Sequence, residues 1–166
     1  MSLPIPKPAN IAPMAVEIEL IFIPGLVVPG HQVASGANQD SPYHEGTLAL
    51  QAPHFLERGL DISRFHRATI NVDFSPLTPV LVKPSLTLDK VDWTDLIPPE
   101  TFSFLEVTLA RGEESYSGLL YYPHPETKVE NFQSGNCLEF LATLIPGLSY
   151  SDPVRVGFPA GSVAFS

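Results

Sequence analysis

Proline recurs too often along this chain for a helical bundle to survive: 18 of its 166 residues are proline and 11 are glycine. A proline in a helix interior removes a hydrogen bond and clashes with the preceding turn. The intervals between prolines therefore suit short strands and at most one or two short helices. An apolar fraction of 44% still supplies a real core, and the length fits one domain or one domain with a tail. Residues 1–13, with their four prolines, read as a Pro-rich extended tail, and residues 14–166 as a single domain.

From Val16 the chain alternates Val-Glu-Ile-Glu-Leu-Ile-Phe-Ile, a strand pattern that the turn dipeptide Pro24-Gly25 is predicted to interrupt. Leu26 to Ala34 reads as a second extended stretch, running into a polar loop from Ser35 to Pro42. Thr47 to Gln51 reads as a short strand. Pro53 to Arg58 reads as one helical turn, stopped by Gly59. Ala68 to Phe74 is a strand, Val80–Val82 and Ser85–Leu88 are strand pieces, and Val91–Leu96 with Trp93 is a turn. Thr101–Ala110 and Ser115–Tyr122 alternate on either side of Arg111-Gly112-Glu113-Glu114, a hairpin. A long polar loop from Pro123 to Asn136 precedes the last strands, Cys137–Leu144 and Val154–Phe158. Many short strands separated by turns predict a mainly β chain folded as a closed or partly closed β-barrel.

The net charge of −9 comes from 18 acidic and nine basic residues. Binding to the nucleic-acid backbone needs the opposite balance, so no nucleic-acid partner is expected. Any phosphate site must lean on backbone N–H groups or a metal ion. The single cysteine, Cys137, excludes an internal disulfide framework and fits a reducing compartment. Ala15–Val28 is apolar, but Glu17, Glu19, Pro24 and Gly25 leave its uncharged stretch too short to span a bilayer. The first residues lack the basic-then-apolar pattern of a signal peptide. The expectation is a soluble, cytoplasmic protein with no membrane partner.

Phosphate-loop, dinucleotide and nucleophile-elbow motifs are absent. The five histidines have no metal-ligand spacing. Cys137 sits in an apolar run and reads as inert core, and Glu113/Glu114 lie in a solvated turn. The most compact cluster of oxygen donors is the strand His66-Arg67-Ala68-Thr69-Ile70-Asn71-Val72-Asp73-Phe74. Side chains alternate along a strand, so Thr69 and Asn71 share one side, about 7 Å apart, while Arg67 is given no phosphate role. A hydroxyl and an amide oxygen so placed reach one hard cation or a row of phosphate oxygens. The same pair also suits the plainer task of satisfying backbone groups at a turn.

Three segments follow one another in a telling order: Val33-Ala34-Ser35-Gly36, then Ala68-Thr69-Ile70-Asn71, then Leu138-Glu139-Phe140-Leu141-Ala142. With Gly118-Leu119-Leu120-Tyr121-Tyr122-Pro123 and the closing strand Val154–Phe158, this series resembles the archaeal CTP-dependent riboflavin kinases. The resemblance spans residues 26–158 and implies a small six-stranded cradle-loop β-barrel. It implies Mg²⁺ held by Thr69 and Asn71, a nucleotide on Val33, Ser35, Gly36 and Ala37, and a flavin contacted by Thr127 and Glu139. Glu139 is then also the candidate catalytic residue.

The activity so implied is transfer of a phosphoryl group from CTP, or another nucleotide, to riboflavin, giving FMN. The chain departs from the family in four places, one being the interval from Thr127 to Glu139, which is longer than the family's Thr-to-Glu spacing. Ala37-Asn38-Gln39-Asp40 replaces a glycine-rich loop and adds a charge that repels phosphate. Ala68 stands where the family has glycine. Thr143–Leu148 is short, uncharged and broken by Pro146-Gly147, where the family has a basic helix. These departures motivate the alternative of a non-catalytic barrel binding a flavin-like or nucleotide-like small molecule, or a protein partner.

Overall fold

The computed structural model describes residues 17–30, 46–128 and 134–166; the predicted tail and the loop Ser35–Pro42 lie outside them. In chain order the elements are β1 (Leu20–Val28), α1 (Thr47–Glu57), β2 (Ile70–Asp73), β3 (Pro79–Leu81), β4 (Leu86–Val91), β5 (Glu100–Arg111), β6 (Glu114–Pro123), β7 (Cys137–Ala142), β8 (Pro153–Pro159) and β9 (Val163–Phe165). The hydrogen-bonded order is β4-β5-β6-β7-β2-β1-β8, and β8 pairs back onto β5. Strands β5, β6, β7, β2, β1 and β8 therefore close a six-stranded antiparallel barrel, with β4 as an extension on β5. The mainly β barrel with one short helix is the architecture that the sequence predicts.

Alternation along the strands produces two apolar faces rather than one. Ile70 and Val72 of β2, Leu105, Val107 and Leu109 of β5, Leu120 of β6, Phe140 of β7 and Val156 and Phe158 of β8 fill the barrel. Phe74 seals one end, with its ring centroid 6.4 Å from Phe140, 6.0 Å from Phe158 and 5.5 Å from Phe165. Phe165 comes from the β3–β9 ribbon, which lies across that end. On the outer wall, Phe102 and Phe104 of β5, Leu119 and Tyr121 of β6 and Leu141 of β7 form a second cluster under α1. Phe55 of the helix meets Phe102 and Phe104 edge-on at 5.1 and 5.2 Å, a favoured geometry for aromatic pairs.

Two predicted elements take a different form. Thr47–Gln51 is the first half of α1, not a strand. Leu48 and Leu50 mimic a period-two alternation, yet Leu48 is buried and Leu50 exposed, while Leu48, Gln51 and Phe55 share the buried face. The three-and-four spacing prevails because it lays one helical stripe on the outer cluster. Pro53 is tolerated on the exposed side of the helix, and Gly59, with φ +95°, follows its end as predicted.

Pro24-Gly25 also forms no turn: β1 runs through it in register with β8, Pro24 opposite Arg155 and Gly25 opposite Val154. The strand tolerates proline because β2 pairs only with Leu26–Val28, so Pro24 sits where one edge of β1 has no β2 partner. Gly25 is the last residue of β1 before its pairing with β2 begins at Leu26. A Cβ there would lie 2.5 Å from Val72 Cγ1 and 3.0 Å from the Asp73 carbonyl. Gly25→Ala should therefore lower stability by about 1–3 kcal/mol in a denaturant titration. Gly135→Ala, whose added Cβ meets nothing within 4 Å, should stay within about 0.5 kcal/mol of the parent.

Candidate functional site

The outer wall of β2, β7 and β6 carries a row of polar side chains. Register sets Asn71 opposite Glu139, and Glu139 opposite Tyr121. Ile70 and Val72 point into the barrel, so Asn71 between them points outward. Ala68 and Ile70 are both in the interior cluster, which sets Thr69 on the same outer side, just before β2 begins.

The row ends at α1. The Tyr121 hydroxyl donates to Gln51 Oε1 at 2.7 Å, and both residues are buried. Burial raises the Tyr121 phenol well above its ordinary range, and the negative charge of Glu139 adds to the effect. The phenol therefore stays protonated and remains a donor. Glu139 itself is half-buried. Thr69 is 7% exposed and Asn71 0%, and the backbone of Gly30 lies so close over the Asn71 amide that a Cβ at position 30 would collide with it.

Thr69, Asn71 and Glu139 thus share one wall. Thr127 does not join the row: its hydroxyl accepts from the Thr101 N–H and donates to the His124 carbonyl, each at 3.0 Å, tying the β6 exit to the start of β5. Val33, Ser35, Gly36 and Ala37 lie outside the described residues, although Gly30, just before them, rests on Asn71. Tyr121 and Gln51 are additions to the row that the sequence did not announce. The alternation of β6 points Tyr121 outward, but Gln51 was read as part of a strand.

A hydroxyl and an amide oxygen are hard, neutral donors that suit Mg²⁺. Among the described residues no group of three or more His, Cys, Asp and Glu side chains forms an all-protein cage for a metal. The donors at hand are therefore Thr69, Asn71 and Glu139. Of these, Thr69 and Asn71 are buried and Glu139 is half-buried.

A second constellation has the connectivity of a nucleophile, base and acid. Ser103 Oγ lies 2.6 Å from His124 Nε2, and His124 Nδ1 lies 2.8 Å from Glu126 Oε1. Ser103 is 1% exposed, and its hydroxyl is shared with Thr87 Oγ1 at 2.8 Å. A carbonyl has no approach to that oxygen, so the chain of bonds fastens β4, β5 and the segment after β6 together. The Glu126 carboxyl is held below its ordinary value by its own backbone N–H and then by His124.

Cys137, opposite Asp73 on β2, stands half-buried at the start of β7. Burial, with the charges of Asp73 and Glu139, pushes its thiol up from 9.0 to about 11. No family model matches the chain, and no curated protein sequence matches it. Among the described residues no helix is long and apolar enough to cross a membrane.

Two outcomes follow from these environments. A thiol held protonated is a poor nucleophile, so alkylation of folded protein by iodoacetamide should be slow at pH 8 and accelerate with a midpoint near pH 11. Between 9.0 and about 11 the unfolded chain has lost this proton while the folded chain keeps it. Cys137 therefore contributes a loss of stability as pH rises through that window, a slope that Cys137→Ser should reduce in urea titrations. Tyr121→Phe should cost about 1–3 kcal/mol by stranding the Gln51 carbonyl oxygen. Adding Gln51→Leu should recover part of that cost in a double-mutant cycle.

Proposed function

We propose that the chain is a riboflavin kinase-like phosphotransferase, moving a phosphoryl group from CTP or another nucleotide to riboflavin to give FMN. The supporting observation is the pairing of Asn71 with Glu139 across β2 and β7. The resemblance assigns one of them to the metal and the other to the flavin, and the two are distant in sequence. Their adjacency is what a shared reaction centre requires.

Phosphoryl transfer depends on in-line positioning and charge neutralisation more than on covalent chemistry. Thr69 and Asn71 would hold Mg²⁺, which when bound neutralises phosphate oxygens. Glu139 would accept a hydrogen bond from the ribityl hydroxyl and take its proton. Tyr121, kept neutral beside that carboxylate, anchors α1 through Gln51. The helix in turn excludes water from one side of the wall. A cytoplasmic location belongs to the same reading.

One observation favours a second reading. Asn71 is 0% exposed beneath Gly30, a covering that suits a barrel retaining a flavin-like or nucleotide-like molecule, or a protein partner, without turnover. Incubation with riboflavin, Mg²⁺ and each of the four ribonucleoside triphosphates, followed by chromatography, separates the two. The kinase reading expects an FMN peak, reduced by about 10²- to 10⁴-fold in Glu139→Gln. Quenching of riboflavin fluorescence without product would leave the binding reading, and neither signal would remove flavin from both.

A further inference from the structure

A cleft of about 560 Å³ lies on the outer wall where β1 runs between β2 and β8, a size typical of small-molecule sites. Its shape follows from the sequence. Ala110 and Gly112 contribute almost no side chain to the lining, and Leu26 with the rings of Pro24 and Pro153 supplies apolar surface. Asp73 and Ser75 stand on one wall and Arg155 on the other.

Arg155 donates from Nη2 to the Gly112 carbonyl at 3.0 Å, and its guanidinium lies 5.8 Å from the centre of the Phe22 ring. It has no ion-pair partner among the described residues, although acids outnumber bases by 18 to nine in the chain. A guanidinium held by a carbonyl and an aromatic face keeps N–H groups for a planar anion. On the opposite wall, Asp73 Oδ1 accepts from the Ser75 N–H and hydroxyl at 2.8 and 2.6 Å. Those bonds fix the carboxylate in place.

The strand register gives the spacing of the two charges. Asp73 faces Leu26, Leu26 faces Pro153, and Arg155 is two residues further along β8. Two strand spacings and two residues put their Cα atoms about 12 Å apart. An extended peptide of two or three residues covers about 7–10 Å, which the two side chains can bracket.

We propose that this cleft binds a short apolar peptide as a zwitterion, with its C-terminal carboxylate on Arg155, its ammonium towards Asp73 and its side chains on the apolar floor. A fatty acid fits less well, because its hydrocarbon end would lie against the Asp73 carboxylate. The site is separate from the Asn71–Glu139 row and holds whether or not the chain phosphorylates riboflavin.

Trileucine is a direct probe, titrated by calorimetry and by backbone amide shifts in nitrogen-15 spectra, beside its C-amidated form and octanoate. The expected result is saturable binding with shifts at Gly25, Leu26 and Gly112. Arg155→Gln should weaken it about tenfold, as should C-amidation of the probe, and the two losses should not add. Asp73→Asn, a conservative change at the other wall, should weaken trileucine and leave octanoate unchanged. The proposal is overturned by no binding at millimolar trileucine, by octanoate binding as tightly as trileucine, or by indifference to both variants.

Discussion

The structure depends on one strand having two different neighbours on the same edge. β5 pairs with β6 along its length on one side, whereas its other edge meets β4 over Glu100–Phe104 and β8 over Thr108–Ala110. The second of these contacts closes the barrel. It also divides the outer wall into two regions of opposite character. Where β4 extends the sheet, Phe102 and Phe104 present a broad apolar surface that α1 covers. Where β8 takes over, Ala110 presents almost nothing, and the wall sinks into the open cleft. β1, by contrast, has a different neighbour on each edge: β2 over Leu26–Val28 and β8 over Leu20–Leu26.

The polar row owes its chemistry to this covering. Tyr121 is outward-facing, so it would be solvated in an uncovered sheet; beneath α1 it is buried and needs a partner, which Gln51 supplies. A phenol in that setting resists ionisation, the more so beside the Glu139 carboxylate. Helix and row are therefore coupled. The stripe Leu48, Gln51 and Phe55 carries one polar residue between two apolar ones, and the buried hydrogen bond fixes where the helix sits along the sheet.

Much of this was legible in the residues. The alternation of Thr101–Ala110 and Ser115–Tyr122 gave the long hairpin, and Gly112, with φ +59°, occupies its loop. Proline density excluded a bundle and led to short strands. The misreadings arose where local pattern and tertiary context disagree. Leu48 and Leu50 alternate like a strand, and only the outer surface of β5 and β6 makes the helix the better burial. Pro24-Gly25 is a turn signal that an edge position neutralises. Of the candidate site, the adjacency of Asn71 and Glu139 followed from strand order, which single-strand patterns do not contain. Thr127 is near Pro123 along the chain, but its hydroxyl accepts from the backbone at the start of β5, a contact that chain distance does not reveal.

The two ends of the outer wall also differ in what a ligand must displace. Over the row, Gly30 packs on Asn71 so closely that no side chain fits between them. Over the cleft, the low floor is set by residues that lack bulk, so a ligand meets a surface already shaped for it. Binding at a preformed site avoids the cost of reordering the protein. Along the outer face of β2 the wall thus changes within two positions, from Asn71 roofed by the Gly30 backbone to Asp73 at the edge of the cleft.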